Sequence, residues 1–178
     1  MSWRVKFYGH VIYGPVAPEE VEAFFAGEPE CQRIPASEGT PPAEGWTEFR
    51  FSAANGEYAF VLFPPEAEAP PADPGFPYED ANLLLVIEPL QERSVAEAAA
   101  GRAERLGAAL RLLALDLQQD GDTPAELKAS ALVESYARYS EEIALTIQAA
   151  ARQKRRFLMV ALILVALYAL ASILGRRP

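Results

Sequence analysis

The sequence predicts an α+β fold: a small, mostly antiparallel sheet packed with helices, and a long C-terminal α-hairpin continuing into a single transmembrane helix. Three observations predict it. Apolar residues alternate with a period of two in several runs before residue 94, they recur every three to four positions from 94 to 151, and an uncharged run of eighteen residues follows. The expected organisation is a sheet-containing head over 1–93, an amphipathic α-hairpin or stalk over 94–151, and a membrane segment over 152–178.

The uncharged run is Phe157–Leu174, FLMVALILVALYALASIL. As an α-helix it covers about 27 Å, close to the thickness of a bilayer's hydrocarbon core. Its large apolar side chains, Phe157, Leu158, Leu162, Leu164, Leu167, Leu170 and Leu174, are the expected anchor. Arg152, Lys154, Arg155 and Arg156 precede it as a basic collar for anionic headgroups, and Arg176 and Arg177 follow. Four cations before the span against two after it orient the head towards the cytoplasm, at the inner membrane if the cell is bacterial. The start, MSWRVKFYGH, has no signal-peptide pattern, and Cys31, the one cysteine, cannot form an internal disulfide. Small residues at helix-dimer spacing occur only as Ala171-x-x-x-Gly175, at the end of the run.

Charge is segregated along the 178 residues. The whole chain carries −9, and the +6 of residues 152–178 leaves −15 on residues 1–151. So acidic a head excludes non-specific binding to nucleic acid, whose phosphates require a basic surface.

Trp3, Val5, Phe7, Gly9, Val11 and Tyr13 alternate with more polar residues, as in a half-buried strand with a bulge at Gly9. Pro18, acidic Glu19, Glu20 and Glu22, and the apolar set Val21, Phe24 and Phe25 predict a short helix ended by Gly27. Residues 28–45 read as loop, with a brief strand near Cys31–Ile34. Asn55-Gly56, between Trp46–Ser52 and Tyr58–Phe63, is a hairpin signature. In the second of those runs Tyr58, Phe60 and Leu62 alternate with Ala59, Val61 and Phe63, so both faces are apolar, as in a central strand covered on two sides. A proline-rich loop over 64–80 leads to the buried strand Asn82–Glu88, which makes about four strands.

Ser94 and Glu97 suggest a capping box before the stripe Val95, Ala99, Arg102, Leu106, Leu110, Leu113 and Leu117, a helix of about seven turns closed by Gly121. Thr123, Pro124 and Glu126 suggest the start of a second helix, with the stripe Leu132, Tyr136, Tyr139, Ile143, Ile147 and Ala150.

The catalytic inventory is thin. There is one histidine and one cysteine, with no glycine-rich phosphate loop, no G-x-S-x-G and no Cys/His cluster at zinc spacing. His10 reads as a strand-edge residue. Cys31 reads as an inert thiol beside Glu28 and Glu30, and Asp120-Gly-Asp122 lacks the rest of a calcium loop. No cofactor, metal or catalytic residue is expected. The candidate partner-binding residues are Tyr136 and Tyr139 on the helical stripe, and Pro71, Pro74 and Phe76 in the proline-rich loop. The leading expectation is a tail-anchored, non-enzymatic interaction or adaptor protein with a protein partner. The alternatives are a tethered head binding a ligand among Trp3, Phe49 and Phe60, and an enzyme using Glu48 and Glu88 alone.

Overall fold

The computed structural model describes residues 2–13, 16–28, 30–35, 46–64, 77–118 and 123–174, with the side chains of 35, 155–158 and 160–174 outside that description. The chain divides into two compact units, Met1–Ser140 and Glu141–Pro178.

Among the described residues of the first unit, seven strands form one antiparallel sheet: β1 (Trp3–His10), β2 (Cys31–Pro35), β3 (Thr47–Ala53), β4 (Gly56–Leu62), β5 (Tyr78–Ile87), β6 (Leu112–Asp116) and β7 (Ala125–Glu126). Their spatial order is β2-β3-β4-β5-β1-β6-β7, so the N-terminal strand lies inside the sheet. Helices α1 (Pro18–Ala26), α2 (Arg93–Leu110) and the start of α3 (Ala129–Leu174) complete the unit.

Strand alternation sends one set of side chains inward. Trp3, Val5, Phe7, Phe49, Phe51, Phe60, Leu83, Leu85 and Ile87 are all almost wholly buried. The helices bring Val21 and Phe25, then Val95, Ala99, Ala103 and Leu106, then Leu132, Val133 and Tyr136 to the same core. Phe25 stacks on Phe49 with ring centroids 4.5 Å apart and lies 4.9 Å from Phe60. Each such aromatic side chain removed from water contributes roughly 1.5–3 kcal/mol.

Several sequence expectations need correction. The predicted transmembrane helix over Phe157–Leu174 is the largest: among the described residues no helix is long and apolar enough to cross a membrane. The described part of α3 up to Lys154 carries Glu134, Arg138, Glu141, Glu142, Arg152 and Lys154, so that part is too charged for a hydrocarbon interior. The tail-anchored, single-pass placement with a cytoplasmic head falls with that helix.

The α-hairpin is interrupted as well. Helix α2 ends at Leu110, where Arg111 turns left-handed with φ 54°, and Leu112–Asp116 pairs with β1 instead of continuing the helix. Leu112 and Ala114 then face the core. Leu113, which fits the helical stripe equally well, falls on the other side of the strand. The predicted cap at Thr123–Glu126 is replaced by β7, which pairs Ala125 and Glu126 with β6, and α3 begins at Ala129. The N-cap of α2 is Glu92 rather than Ser94.

The hairpin at Asn55-Gly56 forms, with Ala53 opposite Gly56, but neither residue adopts a positive φ. The bulge expected at Gly9 lies elsewhere. Pairing between β1 and β5 shifts between Lys6 and Tyr8, opposite Asn82, whose φ is 52°.

In the second unit α3 is helical up to Leu174. Ile143 and Ala144 are half-buried, whereas Leu145, Ile147 and Met159 are exposed.

Candidate interaction surface

The three helices of the first unit pack on one face of the sheet. The other face is built from the alternate residues of the same strands, and the pairing registers set them in rows. One row reads Glu48, Val61, Leu84, Lys6, Leu115 from β3 through β4, β5 and β1 to β6. The next reads Arg50, Ala59, Val86, Arg4. Beyond the first row the rings of Trp46 and Phe63 stack with centroids 6.1 Å apart and 30° between planes. Beyond the second stand Glu57 and Glu88.

These residues enclose an open hollow of about 580 Å³ with an apolar floor of Ala59, Val61, Leu84 and Val86. Leu84, Val86, Ala59 and Phe63 are half-buried, and Val61 is buried between its neighbours. The strands therefore carry apolar side chains on both faces, as covered central strands do. Yet among the described residues of this unit the helical core lies on one face only.

The rim carries charges of both signs. Arg50 Nε donates to Glu48 Oε1 at 2.8 Å, and that hydrogen bond and charge hold the guanidinium even above its usual range. Lys6 Nζ lies 2.5 Å from Asp80; burial pushes the ammonium down, but the hydrogen bond and charge of Asp80 outweigh it and raise the group. Arg4 Nε donates to Ser2 Oγ at 3.3 Å, and its backbone N–H donates to Gln118 Oε1 at 2.8 Å. Arg4 and Arg50 thus stand with Glu48, Glu57 and Glu88 around the apolar floor, two cations against three acids, on a segment that elsewhere carries a large acidic excess. The hollow brings Glu48 and Glu88 together, as the carboxylate-enzyme expectation required. Among its described lining residues there is no Ser, Thr, Cys or His to act beside them.

A second cluster lies on the helical side. Arg102 on α2 is buried, with its guanidinium 3.9 Å from the centroid of the Phe51 ring, and it donates to the Tyr58 hydroxyl. Its Nε meets Glu28 Oε2 at 2.9 Å, and Arg105 reaches the same carboxylate at 3.3 Å. Burial pushes the Glu28 carboxyl up, but the hydrogen bonds from Arg102 and Arg105, with their charges, hold it below its ordinary value. The cluster is satisfied within the chain and ties the segment after α1 to α2 and the sheet.

No protein-family model matches this chain, and no curated protein or solved structure is significantly similar to it.

The sequence-derived candidates fall in different places. Tyr136 is a core residue: its hydroxyl accepts from the Gln91 N–H at 3.0 Å and donates to the Glu88 carbonyl at 2.9 Å, and its ring meets Trp3 edge-on at 5.8 Å. Tyr139 is half-buried against the same core, and burial, then the charge of Glu88, raises its phenol. Pro71, Pro74 and Phe76 lie outside the described residues. Of the basic collar, Arg152 and Lys154 are exposed, while the side chains of Arg155 and Arg156 are outside the description, as are those of the anchor residues. Trp3, Phe49 and Phe60 are core residues, and of the three only Phe49 also borders a hollow among the described residues, beside α1 and β2. His10 lies edge-on to Tyr78 at 5.5 Å, and its Nδ1 accepts from the Ile12 N–H. Burial pushes the Cys31 thiol up, partly offset by Arg102 and reinforced by Glu28. Among the described residues no group of three or more His, Cys, Asp or Glu side chains is placed to hold a metal ion.

Proposed function

We propose that the chain is a non-enzymatic interaction protein whose first unit docks another polypeptide on the outer face of the sheet. The observation that supports this reading is the two-sided apolar character of β4 and β5. Ala59, Val61, Phe63, Leu84 and Val86 have the composition of a covered sheet face, yet among the described residues of the first unit the helices lie on the opposite one. Apolar surface of that kind, rimmed by polar residues, is characteristic of protein–protein contact sites. The charged rim adds orientation, since mixed charges around an apolar floor accept a partner in one register and reject others.

The test is site-specific photo-cross-linking. A benzophenone amino acid at Ala59, on the floor of the hollow, is expected to capture a polypeptide on irradiation in cells. The same probe at Ala98, on the exposed side of α2, is expected to capture none. An empty lane at Ala59, with the chain folded and abundant, would remove the docking reading.

A further inference from the structure

We infer that the polypeptide docked on the outer face is a second copy of this chain, packed sheet against sheet about a two-fold axis. The inference rests on the docking reading above and adds the identity of the partner. Its starting point is charge. Residues 1–151 carry −15, so two copies repel one another over most approaches. The outer face, where Arg4 and Arg50 stand against Glu48, Glu57 and Glu88 and Lys6 is paired with Asp80, carries a net charge of only −1, so it is a patch on which two copies can meet at little of that cost.

The pattern within the face is also self-complementary. An isologous contact requires that residue i of one copy meet residue j of the other and the reverse. An axis parallel to the strands, between β4 and β5, would set Glu48 against Lys6 but Arg50 against Arg4 and Glu57 against Glu88, two like pairs for one unlike. An axis across the strands, between the two rows, sets Glu48 against Arg50 in both directions. It also lays Val61 on Ala59 and Leu84 on Val86, so the apolar floors close on one another. Lys6 and Arg4 then come close, but Lys6 is already neutralised by Asp80 at 2.5 Å and Glu88 flanks Arg4. The second axis fits the charges better, with one unlike and one like pair against one unlike and two like pairs for the first.

The extent is sufficient. Four strands at about 4.8 Å and four residue rows at about 6.8 Å outline roughly 500 Å² of face per copy. Two such faces reach about 1,000 Å², the lower bound of a specific interface. Two sheets stacked about 10 Å apart with apolar inner faces make the arrangement of a β-sandwich, here completed between chains.

Light scattering on the full-length chain during size-exclusion chromatography tests this. The expected mass is that of two chains. Glu48→Arg alone, or Arg50→Glu alone, sets like charges across the axis and is expected to weaken self-association at least tenfold. The double variant Glu48→Arg/Arg50→Glu is expected to restore it. Circular-dichroism melting checks that each variant is folded; where one is not, the Ala59 photo-adduct of the otherwise unsubstituted chain decides, and it is expected to join two copies through the peptide containing Val61. A two-chain mass that neither single variant shifts places the contact elsewhere and overturns the inference. A one-chain mass with an Ala59 adduct to a different polypeptide overturns it too, and leaves the docking reading standing. A one-chain mass with no adduct overturns both.

Discussion

Gly56 shows how a single missing atom fixes a corner of the fold. A Cβ built there would lie 1.9 Å from Gln91 Oε1. That oxygen accepts from the Glu57 N–H at 2.8 Å while Gln91 Nε2 donates to the Glu57 carbonyl at 2.9 Å, which clamps the β3–β4 hairpin to the start of α2. Gly56→Ala is therefore expected to displace Gln91 and break both bonds, at a loss of about 1–3 kcal/mol. Chemical denaturation of the two proteins side by side checks it; an unchanged midpoint would mean that the clamp carries no stability. The Asn-Gly pair was legible as a turn, but the reason it implied, positive φ at both residues, is not the one that operates. Glycine is needed here for space, and no local pattern announces a glutamine arriving from residue 91.

At the scale of elements, Arg102 and Glu28 join α2 to the segment between α1 and β2. Glu28→Gln leaves a buried guanidinium without its nearest counter-charge, and the expected loss at neutral pH is about 1.5–3 kcal/mol. The folded-state carboxyl is held below its ordinary value of 4.5, so its contribution is present above that pH and disappears as pH falls through the lower folded value. The stabilities of the wild type and the variant should accordingly converge in acid. Urea titrations at neutral pH and near about pH 3 measure this, and a gap that persists in acid would mean the loss is one of packing rather than charge. Most of the elements were legible because their periods are clean: β1, α1, the β3–β4 hairpin and β5 all follow from alternation, proline and acid placement. The segment after Leu110 was not. Leu106, Leu110 and Leu113 satisfy a helical stripe, while Leu112 and Ala114 satisfy an inward strand face equally well. The choice is made by the free edge of β1, a partner more than a hundred residues away in sequence.

For the whole molecule, the decisive feature is a sheet with apolar side chains on two faces and described helices on one. The sequence showed both faces of β4 to be apolar; that the described helices of the first unit lie on only one of them is a fact of tertiary structure that one chain's periodicity does not encode. The same scale carries the electrostatic prediction. If acidic repulsion between copies opposes pairing through a nearly neutral face, salt should strengthen self-association. Raising ionic strength from about 0.01 M to about 0.15 M shortens the screening length from about 30 Å to about 8 Å. Sedimentation velocity at the two concentrations is expected to show a larger dimer fraction in the second. A smaller one would mean that opposite charges across the axis dominate instead.

The position of β1 inside the sheet sets a clock on biosynthesis. Trp3 pairs with Ile87, and Gly9 pairs with Leu112 on the other flank, so the first strand leaves the ribosome with neither neighbour yet made. At roughly 5–20 residues per second, 84 residues of further translation separate Trp3 from its first partner, a wait of about 4–17 s. During that interval Trp3, Val5 and Phe7 are an unpaired apolar strand open to strangers, and the nascent chain is one for which a chaperone has something definite to hold.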